Sequence, residues 1–353
     1  MRPSPRRPRL FVLAALLGLV APVAAPRAQA APKKLTVAIW SNYMPDAVLA
    51  DFEKEHGCKV EIPWNYGSND ELLSRLQSKQ TGFDLAFPSD LVLPVLISQG
   101  LLERIDPAKV PGLAHLDPAF RTRKADPKDE WSVPYTWGTV GIAWRTDKVK
   151  GPIDSWAVFG DAKATGENAY LLEEARDVIA AALLLRGRSV NSVEPAHLGE
   201  AKETLLGWRK AVKGYTGEVK DHLLSGEAWV IQAYNGDVAQ AMAERKDLAF
   251  AVPTEGGILW VDTLVIPKGA PEKDLAHAFI EFVLRPDVAA RISEGIRYAV
   301  PNKDAYTKVA KEIRENAVIY APEDVRKRLQ QETDLGDDLK KVTDLWSEVR
   351  AGD

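Results

Sequence analysis

The chain has 353 residues, 46% hydrophobic and 27% charged, with 10 Trp, 9 Tyr and 9 Phe. That composition excludes a disordered or low-complexity protein and supplies apolar surface for two domains. The formal net charge is −4, and because residues 1–30 hold five Arg and no acid, the remainder carries 41 basic against 50 acidic residues, a net charge of −9. Such a balance argues against nucleic acid or an anionic membrane as partner and suits a cationic ligand.

Arg2, Arg6, Arg7 and Arg9 precede an apolar run over 10–25, followed by Ala28-Gln29-Ala30. A basic segment, a short apolar segment and an A-x-A site predict a cleaved secretory signal over 1–30. The run is too short for a membrane span, and no Cys near the cleavage point suggests a lipid anchor. Cys58 is the only cysteine, so no intrachain disulfide forms despite the exported context; a structural thiol fits better than a zinc ligand or nucleophile.

Residues 35–39, LTVAI, read as a buried strand, so Trp40 and Tyr43 in the loop beyond it are more aromatic surface than that strand needs. Pro45 and Asp46 open an amphipathic helix with Val48, Leu49 and Phe52 on one face and Gly57 at its end. CKVEI (58–62) is a second strand, and Ser68-Asn69-Asp70-Glu71 is a capping box leading into Leu72, Leu73 and Leu76. FDLAFPSD is a third strand running into a turn, and LVLPVLISQG a further helix. This alternation predicts an α/β fold with parallel strands, whose ligands bind at the carboxyl ends of strands, where WSNY and PSD lie.

A second α/β run begins near TVGIAW (139–144) and includes AYLLE, the helix EEARDVIAAALLL, AWVIQAY and AFAVP. Helices over 274–284 and 286–294, YAVPN and a charged helical tail complete the chain. No Pro/Gly/Ser-rich linker separates the halves, so more than one crossing of the chain joins them.

Three clusters carry candidate chemistry. Glu174 and Asp177 lie three apart at a strand end and in the first turn of a helix; taken alone, helix-dipole and capping chemistry is the simpler explanation, since acids are favoured there. Tyr234 and Asp237 flank Asn-Gly beyond an apolar strand, a pattern shared with a common turn using φ > 0 and a helix cap. Asp262 interrupts the apolar strand GGILWVDTLVIP and shares a face with Trp260. A buried carboxylate is costly without a partner, so this pair points to a ligand more than to a structural ion pair. His56, His115, His197, His222 and His277 show no metal-ligand spacing, and no G-x-S-x-G, Walker or Rossmann pattern occurs. Paired carboxylates leave a glycosidase as a rival reading.

With WSNY, FPSD, EEARD, LWVD and YAVPN in the same order and at compatible spacings over 35–350, the chain resembles the substrate-binding components of bacterial spermidine/putrescine ABC transporters. The resemblance implies an α/β, type II periplasmic binding protein-like fold: two lobes, 34–139 with 262–307 and 140–261 with 308–353, joined by a hinge with a ligand cleft between them. It implies an antiparallel crossover near Thr139 and Asp262, a periplasmic monomer that is not an enzyme, no cofactor or metal, a polyamine ligand, and an inner-membrane ABC permease as partner. Carried over by position, Trp40, Ser41, Tyr43 and Ser89 resemble the first-lobe ligand contacts. Glu174, Asp177, Tyr234, Asp237, Trp260, Asp262 and Tyr298 resemble the rest, with Gln331 or Glu332 as a further polar contact. Tyr234 stands where the family commonly has Trp, Leu91 where spermidine binders place Tyr, and the acids at 174 and 177 are exchanged in order; these departures leave the choice of polyamine open. The alternatives are a binding protein of the same fold for another solute, such as thiamine or an opine, and a secreted carboxylate hydrolase.

Overall fold

The computed structural model describes Met1, residues 33–78 and residues 82–352. The expected signal peptide, apart from Met1, lies outside the described residues. Strands β1 (Lys33–Trp40), β2 (Cys58–Tyr66) and β3 (Leu85–Ala86) form a parallel sheet in the order β2-β1-β3. Helix α1 (Asp46–His56) buries Val48 and Phe52 and ends at Gly57, whose left-handed φ of 59° lets its N–H reach the Glu53 carbonyl. Before α2 (Asn69–Gln77), the capping box closes one residue early: Ser68 accepts from the Glu71 amide, but the Glu71 carboxylate accepts from Gly67 rather than Ser68. Strand β2 extends four residues past Ile62, because a bulge between the pairs Thr36–Glu61 and Ala38–Trp64 places Pro63, which has no N–H, outside the regular ladder. β3 is only two residues long; the rest of FDLAFPSD is held by bridges from Ala86 to Val265 and Ser89 to Asp262. Asp90–Val92 is one 3-10 turn, and α3 (Leu93–Ser98) comes next.

β4 (Leu102–Glu103) pairs antiparallel with β11 (Ile266–Pro267). The larger sheet has the order β12-β10-β5-β8-β6-β7, with β9 also on β5. Its spine, β5 (Val133–Arg145), starts six residues before the expected Thr139, since VPYTWG is as buried as residues 139–144. The expectation of parallel strands needs correction here. β5 runs antiparallel to β8 (Val230–Tyr234), β9 (Leu248–Ala251) and β10 (Gly257–Leu264), whereas β6 (Ala169–Leu172) is parallel to β7 (Gly214–Thr216) and β8. β12 (Leu329–Gln331) runs parallel to β10. Thr139 faces Leu259 and Asp262 faces Thr136, so the antiparallel crossover is present.

Two large cores result. One gathers the C-terminal half of β5 with β6, β8 and helices α5 (Ala175–Leu185), α6 (Pro195–Arg209) and α14 (Leu339–Ala351), with the single turn α4 (Ala162–Thr165) and α7 (Val219–Ser225) at its margin. The other gathers β1, α1, α9 (Lys273–Leu284) and α10 (Pro286–Ile296), and Cys58 is buried in it. α10 outlasts its expected end by two residues and stops where Arg297 turns left-handed at φ 55°. Val133 and Tyr135 lie in the second core while Val140 and Ile142 lie in the first, so β5 passes from one to the other. α8 (Asn235–Glu244) leaves β8 directly, and three single turns, α11 (Lys303–Tyr306), α12 (Lys311–Arg314) and α13 (Glu323–Arg326), precede β12.

Candidate functional site

Asp262 sits near the end of β10, where a bulge leaves Tyr135 of β5 unpaired between the pairs Asp262–Thr136 and Thr263–Pro134. It is buried, and its carboxylate accepts from the Ser89 hydroxyl at 2.6 Å and the Tyr43 hydroxyl at 2.7 Å. Thr136 shares the Tyr43 hydroxyl at 2.5 Å. Burial pushes Asp262 up to about 6, against the lowering effect of its two hydroxyl donors. Asn69, at the start of α2, accepts from the Ser89 amide at 3.1 Å and donates to its hydroxyl at 3.2 Å, which holds Ser89 in place.

From Tyr43 a chain of rings leads away. Tyr43 meets Tyr298 edge-on at 5.6 Å, Tyr298 meets Trp260 at 5.1 Å, and Trp260 meets Tyr234 at 6.4 Å. Carboxylates punctuate it: Tyr298 donates to Asp237 at 2.9 Å and Tyr234 to Asp177 at 2.7 Å. Burial raises Asp237 to about 6. Asp177 lies well above the usual carboxylate range, first through burial and then through Glu332 and Glu174 beside it. Glu174, at the N-cap of α5, is also raised, by burial and then by Asp70. The helix N-terminus still acts on Glu174, since the amide of Arg176 in the first turn of α5 lowers it, but burial and Asp70 outweigh that effect.

The Asn-Gly sequence after Tyr234 is not a left-handed turn; α8 begins at Asn235, capped by no side chain. Its residues have other work. Asn235 accepts from the Thr139 amide at 2.8 Å and donates to the Val318 carbonyl at 2.7 Å, tying β5 to α8. A Cβ on Gly236 would lie 2.3 Å from the Tyr298 ring, and one on Gly138 would lie 2.3 Å from the Trp260 ring. Glycine at both positions lets the two aromatic rings lie directly on the backbone.

Nine of the eleven residues expected from sequence thus join one continuous array: Tyr43, Ser89, Glu174, Asp177, Tyr234, Asp237, Trp260, Asp262 and Tyr298. The other two stand apart. Trp40 is the last residue of β1 rather than a loop residue, donates its indole N–H to the Phe87 carbonyl at 2.8 Å and packs on Tyr66 at 4.5 Å. Ser41 is exposed in the turn beyond it. Sequence reasoning missed Asn69, Thr136 and Asn235; only the position of Thr136 beside aromatics in VPYTWGT offers a signal. Among the described residues, none of Glu174, Asp177, Asp237 and Asp262 forms an ion pair within 4.0 Å. The array is a row of carboxylates, with Asp262, Asp237 and Asp177 held by hydroxyls, separated by aromatic faces and able to receive an elongated cation.

Residues 47–319 match the family described as bacterial extracellular solute-binding protein. The chain is 33% identical over 316 residues to the spermidine/putrescine-binding periplasmic protein 1 of Haemophilus influenzae, covering 88% of this chain and 87% of that one. It is 33% identical over 341 residues to the putrescine-binding periplasmic protein PotF of Escherichia coli, covering 91% and 92%. Its fold superimposes with a TM-score of 0.79 on the spermidine/putrescine ABC transporter substrate-binding protein PotD of Streptococcus pneumoniae, at 27% identity, covering 91% of this chain and 99% of that one. The fold is that of the type II periplasmic binding proteins, two α/β lobes joined by a hinge around a cleft. Among the described residues no helix is long and apolar enough to cross a membrane.

Proposed function

The chain belongs to the bacterial extracellular solute-binding proteins, within their spermidine/putrescine branch, and from that premise we propose that it captures a polyamine, spermidine or putrescine, and delivers it to an ABC importer. The observation that carries this reading is the array of buried and half-buried carboxylates without ion pairs, alternating with Tyr43, Tyr298, Trp260 and Tyr234. A polyamine is a methylene chain interrupted by ammonium groups; the rings take the methylenes and the carboxylates the charges. A cation on an aromatic face contributes about 0.5–2 kcal/mol and a charge-assisted hydrogen bond about 1.5–3 kcal/mol. The carboxylate contacts together with the cation–ring contacts and the packing of methylenes on the rings, in a site that excludes water, supply the roughly 8 kcal/mol of micromolar binding above the ordering costs.

In this reading Tyr43, Ser89, Asp262 and Tyr298 act from a first lobe of 34–139 and 262–307, while Trp40 and Ser41 lie outside the array they build. Glu174, Asp177, Tyr234, Asp237 and Trp260 act from a second lobe of 140–261 and 308–353. Ligand favours the closed state only through contacts it makes from both lobes at once, and the closed form is what an inner-membrane permease recognises. The protein works as a monomer in the periplasm after loss of residues 1–30. Calorimetric titration of ligand-stripped protein with putrescine, cadaverine, spermidine and spermine tests the reading. One-to-one micromolar or tighter binding of at least one is expected; no heat from any of the four, with cooperative thermal unfolding intact, refutes it.

A further inference from the structure

We propose that Asn191, in the loop between α5 and α6, is a positioning residue for ligand binding: its side-chain amide fixes the register of β12, and with it the placement of Gln331 and Glu332 beside the array. This rests on the polyamine reading above. β12 leaves its own register open. It is an edge strand of three half-buried residues, paired with β10 alone through Leu329, Gln330 and Gln331. Without alternation of buried and exposed positions, burial selects no register, and a slip of one residue would exchange the faces of Gln331 and Glu332.

Asn191 supplies what the strand lacks. Its Nδ2 donates to the Gln331 carbonyl at 2.9 Å, and its Oδ1 accepts from the Thr333 amide at 2.8 Å. These are the peptide groups on either side of the Glu332 Cα, the two that a neighbouring parallel strand would take. The side-chain amide therefore stands in for one peptide of a missing strand and covers the open edge. Holding both peptides fixes φ and ψ of Glu332 between them. Two further bonds brace the bracket: the amide of buried Val190 donates to the Gln330 side chain at 3.2 Å, and Arg176 Nη2 donates to Asn191 Oδ1 at 3.2 Å and to the Thr333 carbonyl at 3.3 Å. The register so fixed has consequences on both sides. Gln331 donates to Asp90 at 3.2 Å, and Asp90 adjoins Ser89, whose hydroxyl bonds Asp262 at one end of the array. The Glu332 carboxylate lies 4.0 Å from Nε of Arg176, which adjoins Asp177, bonded to Tyr234 at the other end. Two successive residues of one strand thus reach groups next to opposite ends of the array, and a slip of one residue would misplace both.

The test is a double-mutant cycle in ligand affinity: calorimetric titration of putrescine and spermidine into the wild type, N191A, E332Q and N191A/E332Q, with thermal unfolding of each. For the polyamine that the wild type binds more tightly, N191A should bind at least fivefold more weakly. In the E332Q background the same substitution should cost less than twofold, because no charge is left to aim. A residue that only supported the fold would lower the melting temperature and cost the same factor in both backgrounds. That result, or a smaller loss in N191A, overturns the proposal. If N191A does not fold, N191D decides, since it keeps the acceptor for Thr333 and Arg176 and loses only the donor to Gln331. It should bind at least threefold more weakly than the wild type and less than twofold more weakly in the E332Q background; equal factors overturn the proposal. If the wild type binds neither polyamine, the functional reading fails by itself, and hydrogen exchange of the ligand-free protein decides the register lock. The Thr333 amide should then exchange at least tenfold faster in N191A than in the wild type; equal rates overturn it.

Discussion

Asp90 and Asp262 are neighbouring buried aspartates, each pushed up to about 6 by burial, and each raising the question of what a charge does inside a protein. Asp90 is answered from within. Arg123 donates to one oxygen in a short ion pair and to Ser132 at 2.7 Å, and Gln331 donates to the other Asp90 oxygen at 3.2 Å. Asp262 receives only the hydroxyls of Ser89 and Tyr43, which hold its geometry but leave its charge uncompensated. Equal burial with unequal compensation separates a carboxylate that supports the fold from one we propose for the ligand's cation.

Breaking the compensated member should have the largest effect. Asp90→Asn strands the Arg123 charge in a buried site, and a broken buried pair costs about 3–5 kcal/mol, read from denaturant unfolding. A loss below about 1 kcal/mol would mean that Arg123 is rescued by water or by another acid. Next comes pH. Unfolded Asp ionises near 3.8, whereas folded Asp262 keeps its proton to about 6, so over that interval the unfolded state binds fewer protons and ligand-free stability falls as pH rises. Two pKa units amount to roughly 3 kcal/mol, and the difference between wild-type and Asp262→Asn curves isolates this share from Asp90 and Asp237, which titrate over the same interval. A ligand cation needs the ionised form, so polyamine binding should tighten over the interval in which the empty protein loses stability. Parallel curves for the two proteins would place the Asp262 proton elsewhere. Asp262→Asn itself should weaken polyamine binding by about 10- to 100-fold, the loss of one charge-assisted contact, with folding kept because the amide still bonds two hydroxyls. Unchanged affinity would remove Asp262 from the site.

How much of the molecule is legible in its sequence depends on the range of the interactions involved. The β1-α1-β2-α2 succession announces itself through local signals: the apolar run, Pro45, Gly57 and the Ser68 cap. Asp262 is legible because a carboxylate in LWVDTLVI is locally anomalous. Asn69, by contrast, acts only through Ser89, 20 residues on, and Thr136 only through Tyr43, 93 residues away, and neither breaks any local pattern. The register shift at Tyr135, beside the Asp262–Thr136 pair, depends on how β5 and β10 pair across the sheet. β12 is three half-buried residues with no alternation, so nothing local in LQQE places Glu332 beside Asp177; a loosely specified C-terminal register is the natural consequence.

Trp40 and Trp260 give the smallest and most discriminating version of the same comparison. Both are half-buried tryptophans on strands, Trp40 at the end of β1 and Trp260 in the middle of β10. The Trp40 N–H is bound to the Phe87 carbonyl, which also accepts from Tyr66 at 2.6 Å, whereas the Trp260 N–H is buried without an acceptor among the described residues. Replacing Trp40 by Phe therefore removes a hydrogen bond and leaves the carbonyl satisfied, a loss of about 0.5–1 kcal/mol of stability. Replacing Trp260 by Phe removes an orphan donor, so its hydrogen-bond contribution to stability should be nil or slightly favourable; the cost should appear in polyamine affinity, through the smaller aromatic face. Unfolding and putrescine titration of the two variants side by side separate tether from wall. If Trp260→Phe loses as much stability as Trp40→Phe and binds putrescine unchanged, Trp260 is core, and the row of rings ends at Tyr298.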